Sequence, residues 1–274
     1  MAQYSKTLGS ENSRLLTALA GQGRIVFSIE EAQTITGKGY AATQQALLRL
    51  TRAGWLVKLG AGKYAIVPPS AGDDAFPEAN RLVIARELLG NAPYFVSYES
   101  ALEVHNMLTR PVTRVIVSTT RRKQVRTILK VPYQFVTVKP EDLWGFAPVW
   151  VSSGEKVQVS DPERTILDGL ARPDLCAGVS EVATGLLIRK DTLDWERLAS
   201  YTHKLGSQVV AKRLGYLLEF YGLGPSQVLT NLQEMVGPSY ALLDPILPAD
   251  GRFLSRWRLQ LNIEDEILKG IAST

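Results

Sequence analysis

Cysteine is nearly absent from this chain: Cys176 is the only one among 274 residues. No intrachain disulfide can form, and a cysteine-rich metal site is excluded. Histidine is almost as scarce. His105 and His203 are the only two, about a hundred residues apart, so a histidine-based metal cluster or a relay of several imidazoles has too few members. No apolar run approaches the roughly 20 residues a membrane span requires, and the opening MAQYSKTLGSEN lacks the apolar core of a signal peptide. No membrane role and a cytoplasmic address are therefore expected. Absent too are the phosphate loop G-x-x-x-x-G-K-[ST], the dinucleotide fingerprint G-x-G-x-x-G, the zinc motif H-E-x-x-H and the nucleophile elbow G-x-S-x-G. Neither a catalytic site nor a cofactor is called for.

What is present is uneven charge. The formal net charge is +4, but residues 1–70 carry +5 and the rest of the chain −1. A basic N-terminal segment on a near-neutral body is the electrostatic outline of a nucleic-acid binder with an appended domain. Within that segment, Ile29 to Val67 reads as helix, turn, helix and a two-stranded hairpin. Glu30 and Glu31 open the first helix (29–36), where acids suit the positive end of the dipole. Gly37-Lys38-Gly39 supplies the turn. In the second helix, 40–53, Thr43, Ala46, Leu47, Leu50 and Ala53 share one face at three- and four-residue spacing. Extended stretches at 55–59 and 63–67 flank Gly60-Ala61-Gly62, a glycine-rich hairpin turn. Glu11–Ala20 reads as a preceding helix with Ser10 as its N-cap, and 24–28 as a short strand pairing with the hairpin. The sum is the pattern of a winged helix-turn-helix. Its candidate DNA-binding residues are Lys38, Tyr40, Gln44, Gln45, Arg49, Arg52, Lys58 and Lys63: the glutamines for adenine edges, Tyr40 for a thymine methyl or a phosphate, the basic side chains for phosphates. The alternative is a protein-interaction winged helix whose polar face is only solvated.

Prolines 68, 69 and 77 bracket small polar residues, so the chain divides into residues 1–70, a linker at 71–78 and a body at 79–274. The body is expected to be mixed α/β (α+β) and rich in helices. Helices are read at 78–89 and 97–108, strands at 112–118 and 133–138, and a hairpin at 149–152 and 156–159. A helix follows from Asp161-Pro162-Glu163 to Leu170, capped by Ser160 or Asp161. Helical segments then come near 178–189, 192–204, 207–221 and 225–236, with a strand at 252–263 and a terminal helix at 264–271. His105 is six residues from Glu99 and two from Glu103, off the three- and four-residue spacing of one helical face, which argues against a metal or acid–base cluster and for a packed histidine. Asp161, Glu163 and Asp168 sit where a helix start wants acids. Cys176 reads as an inert thiol.

Three runs then resemble a known family: YFVSYESALEVHNMLT at 94–109, VTRVIVSTTRR at 112–122 and VSDPERTILDGLARPDLCAGVSEVATGLL at 159–187, with RLGYLLEFYGL at 213–223 fitting as well. They look like the AbiEi antitoxins of bacterial type IV toxin–antitoxin, or abortive-infection, systems, which act in phage defence. The resemblance implies a bifunctional protein. Its winged helix would bind inverted repeats in its own promoter, as double-stranded DNA, and repress transcription. Its body would counteract a co-encoded nucleotidyltransferase-like toxin. It also implies that positive surface on the body contributes to cooperative DNA binding. Arg121, Arg122, Lys123 and Arg126 are the body's one basic cluster, read as a second DNA or partner contact or as a solvated helix face. Inverted repeats require two winged helices about one DNA turn apart, which a dimer or two cooperating monomers would supply. Two other readings stay open: a stand-alone winged-helix regulator whose body senses a ligand or dimerises, and a DNA-acting enzyme targeted by the winged helix.

Overall fold

The computed structural model describes residues 9–60, 62–67, 78–152 and 154–273. The linker expected at 71–78 lies outside the described residues except for position 78. The first unit runs α1 (Ser10–Gly21), β1 (Val26–Ser28), α2 (Ile29–Thr36), α3 (Tyr40–Arg52), β2 (Leu56–Gly60) and β3 (Lys63–Ile66). Its strands form an antiparallel sheet in the order β1-β3-β2. Glycine is required at both ends of the hairpin turn, where Gly60 and Gly62 hold φ of 125° and 74°. The Gly62 carbonyl also accepts the Ile29 N–H at 2.9 Å, which ties the turn to the first residue of α2.

Strand alternation gives this small sheet two dry faces. Phe27, Leu56 and Tyr64 point to one side and bury against Leu15, Leu16 and Leu19 of α1, Ile29 and Ala32 of α2, and Leu47 and Leu50 of α3. Val26, Leu59 and Ala65 point to the other side. There they meet α4 (Glu78–Leu89), whose Leu82, Val83, Ile84 and Ala85 are four consecutive buried residues. Four in a row cannot lie on one stripe of a helix. α4 is accordingly covered on two sides, by the small sheet and by the sheet of the body.

That second sheet contains β4 (Tyr94–Val96), β5 (Val115–Thr119), β6 (Arg126–Ile128), β7 (Val131–Thr137), β8 (Phe146–Ser152) and β9 (Glu155–Ser160), ordered β6-β7-β5-β4-β9-β8. It is mixed: β4 runs antiparallel to β5 but parallel to β9, and β5 runs parallel to β7. Its central strand β5 is buried throughout, as its run of β-branched residues anticipates. One face carries α4. The other carries α5 (Tyr98–Val104) and α6 (Pro162–Ala171), which lead into a helical layer of α7 (Val179–Arg189), α8 (Trp195–Leu205), α9 (Gln208–Tyr221) and α10 (Ser226–Glu234). Two of these close contacts depend on glycine. At Gly215 on α9 an added Cβ would stand 2.1 Å from the fully buried Trp257 ring, and at Gly169 on α6 one would stand 2.8 Å from Val182.

The chain ends with β10 (Ala241–Leu242), β11 (Arg252–Leu254), β12 (Leu259–Leu261) and α11 (Asp265–Ala272). The single strand expected at 252–263 is two strands folded back on each other. Arg258, in the left-handed region at φ 49°, stands just before the return strand. The helix expected at 97–108 stops at Val104, and the strand expected at 112–118 starts only at Val115. β4 and β6 are absent from the sequence reading: each has three residues, too few to show a period. Ser10 is not the cap of α1 either. It is the first helical residue, and Gly9 occupies the cap position without a side-chain bond. The fold class is thus mixed α/β, α+β in character. No helix among the described residues is long and apolar enough to cross a membrane.

Candidate nucleic-acid interface

α2 is held at its start by a complete capping box. Ser28 Oγ accepts the Glu31 N–H at 3.2 Å, and Glu31 Oε2 accepts the Ser28 N–H at 2.7 Å. It ends at Gly37, left-handed at φ 68°. Three residues later α3 begins at Tyr40, with Gly39 at the cap, no side-chain cap and no acid in its first turn. No acid of its own first turn therefore competes at its leading N–H groups, a condition that suits an incoming phosphate.

α3 buries Thr43, Ala46, Leu47 and Leu50. Ala53, expected on the same face, is exposed, because the helix stops at Arg52 and Ala53 is already its C-cap. The outward face carries Tyr40, Gln44, Gln45, Leu48, Arg49 and Arg52, all exposed. Gln44, Gln45, Leu48 and Thr51 line one wall of a groove whose other wall is Lys58 and Tyr64 of the hairpin. Tyr64 turns its ring inward, stacked on Phe27 at 6.0 Å between centroids.

The basic side chains differ in what holds them. Arg52 and Lys58 are exposed and make no ion pair among the described residues. Lys38 Nζ lies 2.5 Å from Glu11 Oε2, and Arg49 adds a weaker pull on that carboxylate. The hydrogen bond and charge of Lys38 hold Glu11 below the usual carboxylate range. Lys63 is drawn away from the groove into an ion pair with Glu87 of α4.

The body's basic cluster is a loop and an edge strand, not the helix face considered from sequence. Arg121, Arg122 and Arg126 are exposed. Lys123 instead donates to the Leu88 carbonyl and stands 5.8 Å from the Phe135 ring centroid. Burial, with Arg121 and Arg126 nearby, pushes its ammonium below the usual lysine range. The Arg126 guanidinium comes within 4.0 Å of where a Cβ on Gly60 would stand, so two basic segments more than sixty residues apart meet at the hairpin.

The groups weighed as catalytic are engaged elsewhere. His105 Nε2 is 2.6 Å from the Ser160 carbonyl and must donate to it. Burial keeps this imidazole below its usual pKa, and His203 lies exposed on α8. Glu99 is buried between Arg114 and Arg110, whereas Glu103 faces Arg81 at 3.4 Å. Asp161 caps α6, its Oδ1 accepting the Arg164 N–H at 2.8 Å, and its Oδ2 accepts the Tyr201 hydroxyl at 3.0 Å. Glu163 Oε1 accepts the Asp194 N–H at 2.8 Å. Asp168 Oδ1 takes Arg164 Nε at 2.7 Å, while its buried Oδ2 has no hydrogen-bond partner among the described residues. Burial outweighs the attraction of Arg164 and pushes that carboxyl up to about 6. Cys176 is fully buried, and burial drives its thiol well above the usual range. Among the described residues no group of three or more His, Cys, Asp or Glu side chains could hold a metal ion.

With this geometry in view, the chain can be set beside known proteins. No family model matches it, and no curated protein matches it. Among solved structures it is similar to the RV2827C protein from Mycobacterium tuberculosis, with a TM-score of 0.70 at 17% identity. The match covers 98% of this chain and 97% of that one. At that identity the likeness speaks for the fold alone: the whole α+β arrangement, first unit and body together, recurs in a natural protein.

Proposed function

We propose that residues 9–67 form a winged helix-turn-helix that binds double-stranded DNA, and that the protein is a cytoplasmic autorepressor and antitoxin of a type IV toxin–antitoxin system. The observation that carries the DNA half is the outward face of α3. It offers two glutamines, two arginines and an aromatic beside a groove whose far wall ends in Lys58, exposed and without an ion pair among the described residues. An α-helix fits the major groove of B-DNA, glutamine can pair bidentately with adenine, and flanking cations neutralise phosphates. The element order supports the same reading, since α1-β1-α2-α3-β2-β3 with its sheet order β1-β3-β2 is that of a helix-turn-helix followed by a wing.

The antitoxin half rests on the resemblance of 94–109, 112–122, 159–187 and 213–223 to the AbiEi antitoxins. The partner it implies is a co-encoded nucleotidyltransferase-like toxin. A non-catalytic role agrees with the engagement of His105, Glu99, Asp161 and Glu163 in capping, ion pairs and packing.

The test is binding of the purified protein to the DNA upstream of its own gene, across a salt series and against a scrambled duplex. Sequence-selective binding that weakens steeply with salt is the expected result, and equal affinity for both duplexes would remove autorepression. Co-expression with the neighbouring gene then tests the other half. Growth arrest relieved by this chain is expected, and unrelieved arrest or a harmless neighbour would favour a stand-alone regulator.

A further inference from the structure

Lys63 opens β3, next to the hairpin turn, where a wing lysine would be aimed at a phosphate. Its ammonium is instead paired with Glu87 on α4. Glu87 is largely buried and is gripped from its other side by Arg86, whose Nε donates to Glu87 Oε1 at 3.0 Å. Arg86 in turn donates to Glu155 Oε2 at 2.7 Å and to the Lys156 carbonyl at 2.8 Å, both on β9. Four charges of alternating sign thus run from the hairpin, across α4, into the sheet of the body. We propose that Glu87 is a specificity-determining residue: it latches Lys63 to the body, withholding one sequence-independent phosphate contact and fixing the hairpin beside α3. This rests on the nucleic-acid reading above.

The physical argument concerns which contacts discriminate. A lysine on a phosphate strengthens binding to every duplex alike, whereas Gln44 and Gln45 can reward only the right one. Neutralising Lys63 internally therefore lowers the affinity for arbitrary DNA without touching the base-facing side chains, and so widens the ratio between operator and background. The pair is well placed to persist. Burial alone would push the Glu87 carboxyl up, yet Lys63 and Arg86 overcome it and hold it below the usual carboxylate range. Glu87 therefore stays ionised wherever the protein is folded near neutral pH. A hairpin held to a two-sided helix also keeps one pose relative to α3, which matters because base contacts tolerate little play.

The test uses the full chain and Glu87→Gln, which keeps the shape and an acceptor for Arg86 while removing the charge. Two readouts are needed. The first requires no DNA: hydrogen exchange at the amides of β2 and β3, expected to quicken several-fold in the variant. The second is binding to scrambled duplex over a salt series. Releasing one lysine onto one phosphate should steepen the log–log slope by about 0.9, equal to a ~3.5-fold larger loss of affinity between about 50 and 200 mM salt. The ratio of operator to scrambled affinity should shrink accordingly. Adding Lys63→Ala to Glu87→Gln should remove the extra slope. Unchanged exchange together with an unchanged slope would overturn the latch while leaving DNA binding by the native chain intact. Faster exchange with no duplex bound by either protein would instead sink the nucleic-acid reading, and the specificity role with it.

Discussion

At the scale of single residues, the exposed positions divide by what an alanine would remove. Gln44 is exposed and lines the groove, so Gln44→Ala should leave folding alone and relax base preference by ~1–3 kcal/mol at one position. Lys58→Ala should weaken binding to operator and scrambled duplex alike and lower the salt slope by about 0.9. A competition series on operator variants separates the two effects. Inside the body, Asp168 makes a prediction of its own. The folded chain holds its proton more tightly than the unfolded chain, because the carboxyl rises from 3.8 to about 6 on folding. This residue therefore withdraws stability as pH climbs through that window, by ~3 kcal/mol in all. His105 works in the opposite sense, being held neutral by burial, so the native chain alone would not isolate the effect. Denaturant midpoints of the native chain and Asp168→Asn should diverge steadily from pH 4 to pH 6, with the variant relatively more stable at the upper end. Parallel curves would contradict it. Asn keeps an oxygen for Arg164 and loses only the charge.

At the scale of elements, the start of α2 depends on one reciprocal pair. Ser28→Ala removes an acceptor for the Glu31 N–H and should cost about 1 kcal/mol, seen as a lower thermal midpoint with unchanged secondary structure at low temperature. The sequence reading took Glu31 only as an acid at the positive end of the helix dipole and Ser28 as the end of a strand, although the two have the spacing of a capping box. The helices of the first unit, α6 and the later helical layer were visible because their apolar residues recur at helical spacing, although the caps of α1, α3, α7 and α10 make no side-chain bond. Where a cap did show in the sequence, it was at α6, in Asp161 with Pro162. The exposed face of α3 followed from its buried face. Other features left no local trace. β4 and β6 are too short to alternate. The pairing of Lys63 with Glu87, and the approach of Arg126 to Gly60, join residues that only the tertiary fold brings together. α4 shows its helical propensity but hides its role, since a helix wetted on neither of two faces has no amphipathic period to read.

For the molecule as a whole, the first unit has one apolar cluster of its own, between its sheet and α1 to α3, and shares a second with the body. Val26, Leu59 and Ala65 of the small sheet share one apolar cluster with Leu82, Val83, Val117 and Val159 of the body. A fragment carrying residues 9–67 alone would expose that face to water. It should melt well below the full chain or fail to fold, whereas the intact protein should lose the helices of both units in one transition. Circular dichroism of the fragment and of the full chain decides this, and a fragment as stable as the full chain would show that the shared cluster contributes little.

The two-sided burial of α4 also bears on how the protein is made. Synthesis runs from the N-terminus, so α1 to β3 leave the ribosome first, with one face of their sheet still bare. That face waits for α4, and α4 waits for β9, whose residues follow more than sixty positions later. A chain broken off inside the body therefore carries the complete α3 surface on an unfinished core, where proteases can reach it. Such fragments would be degraded sooner than the finished chain, so an interrupted synthesis would leave little of the first unit behind.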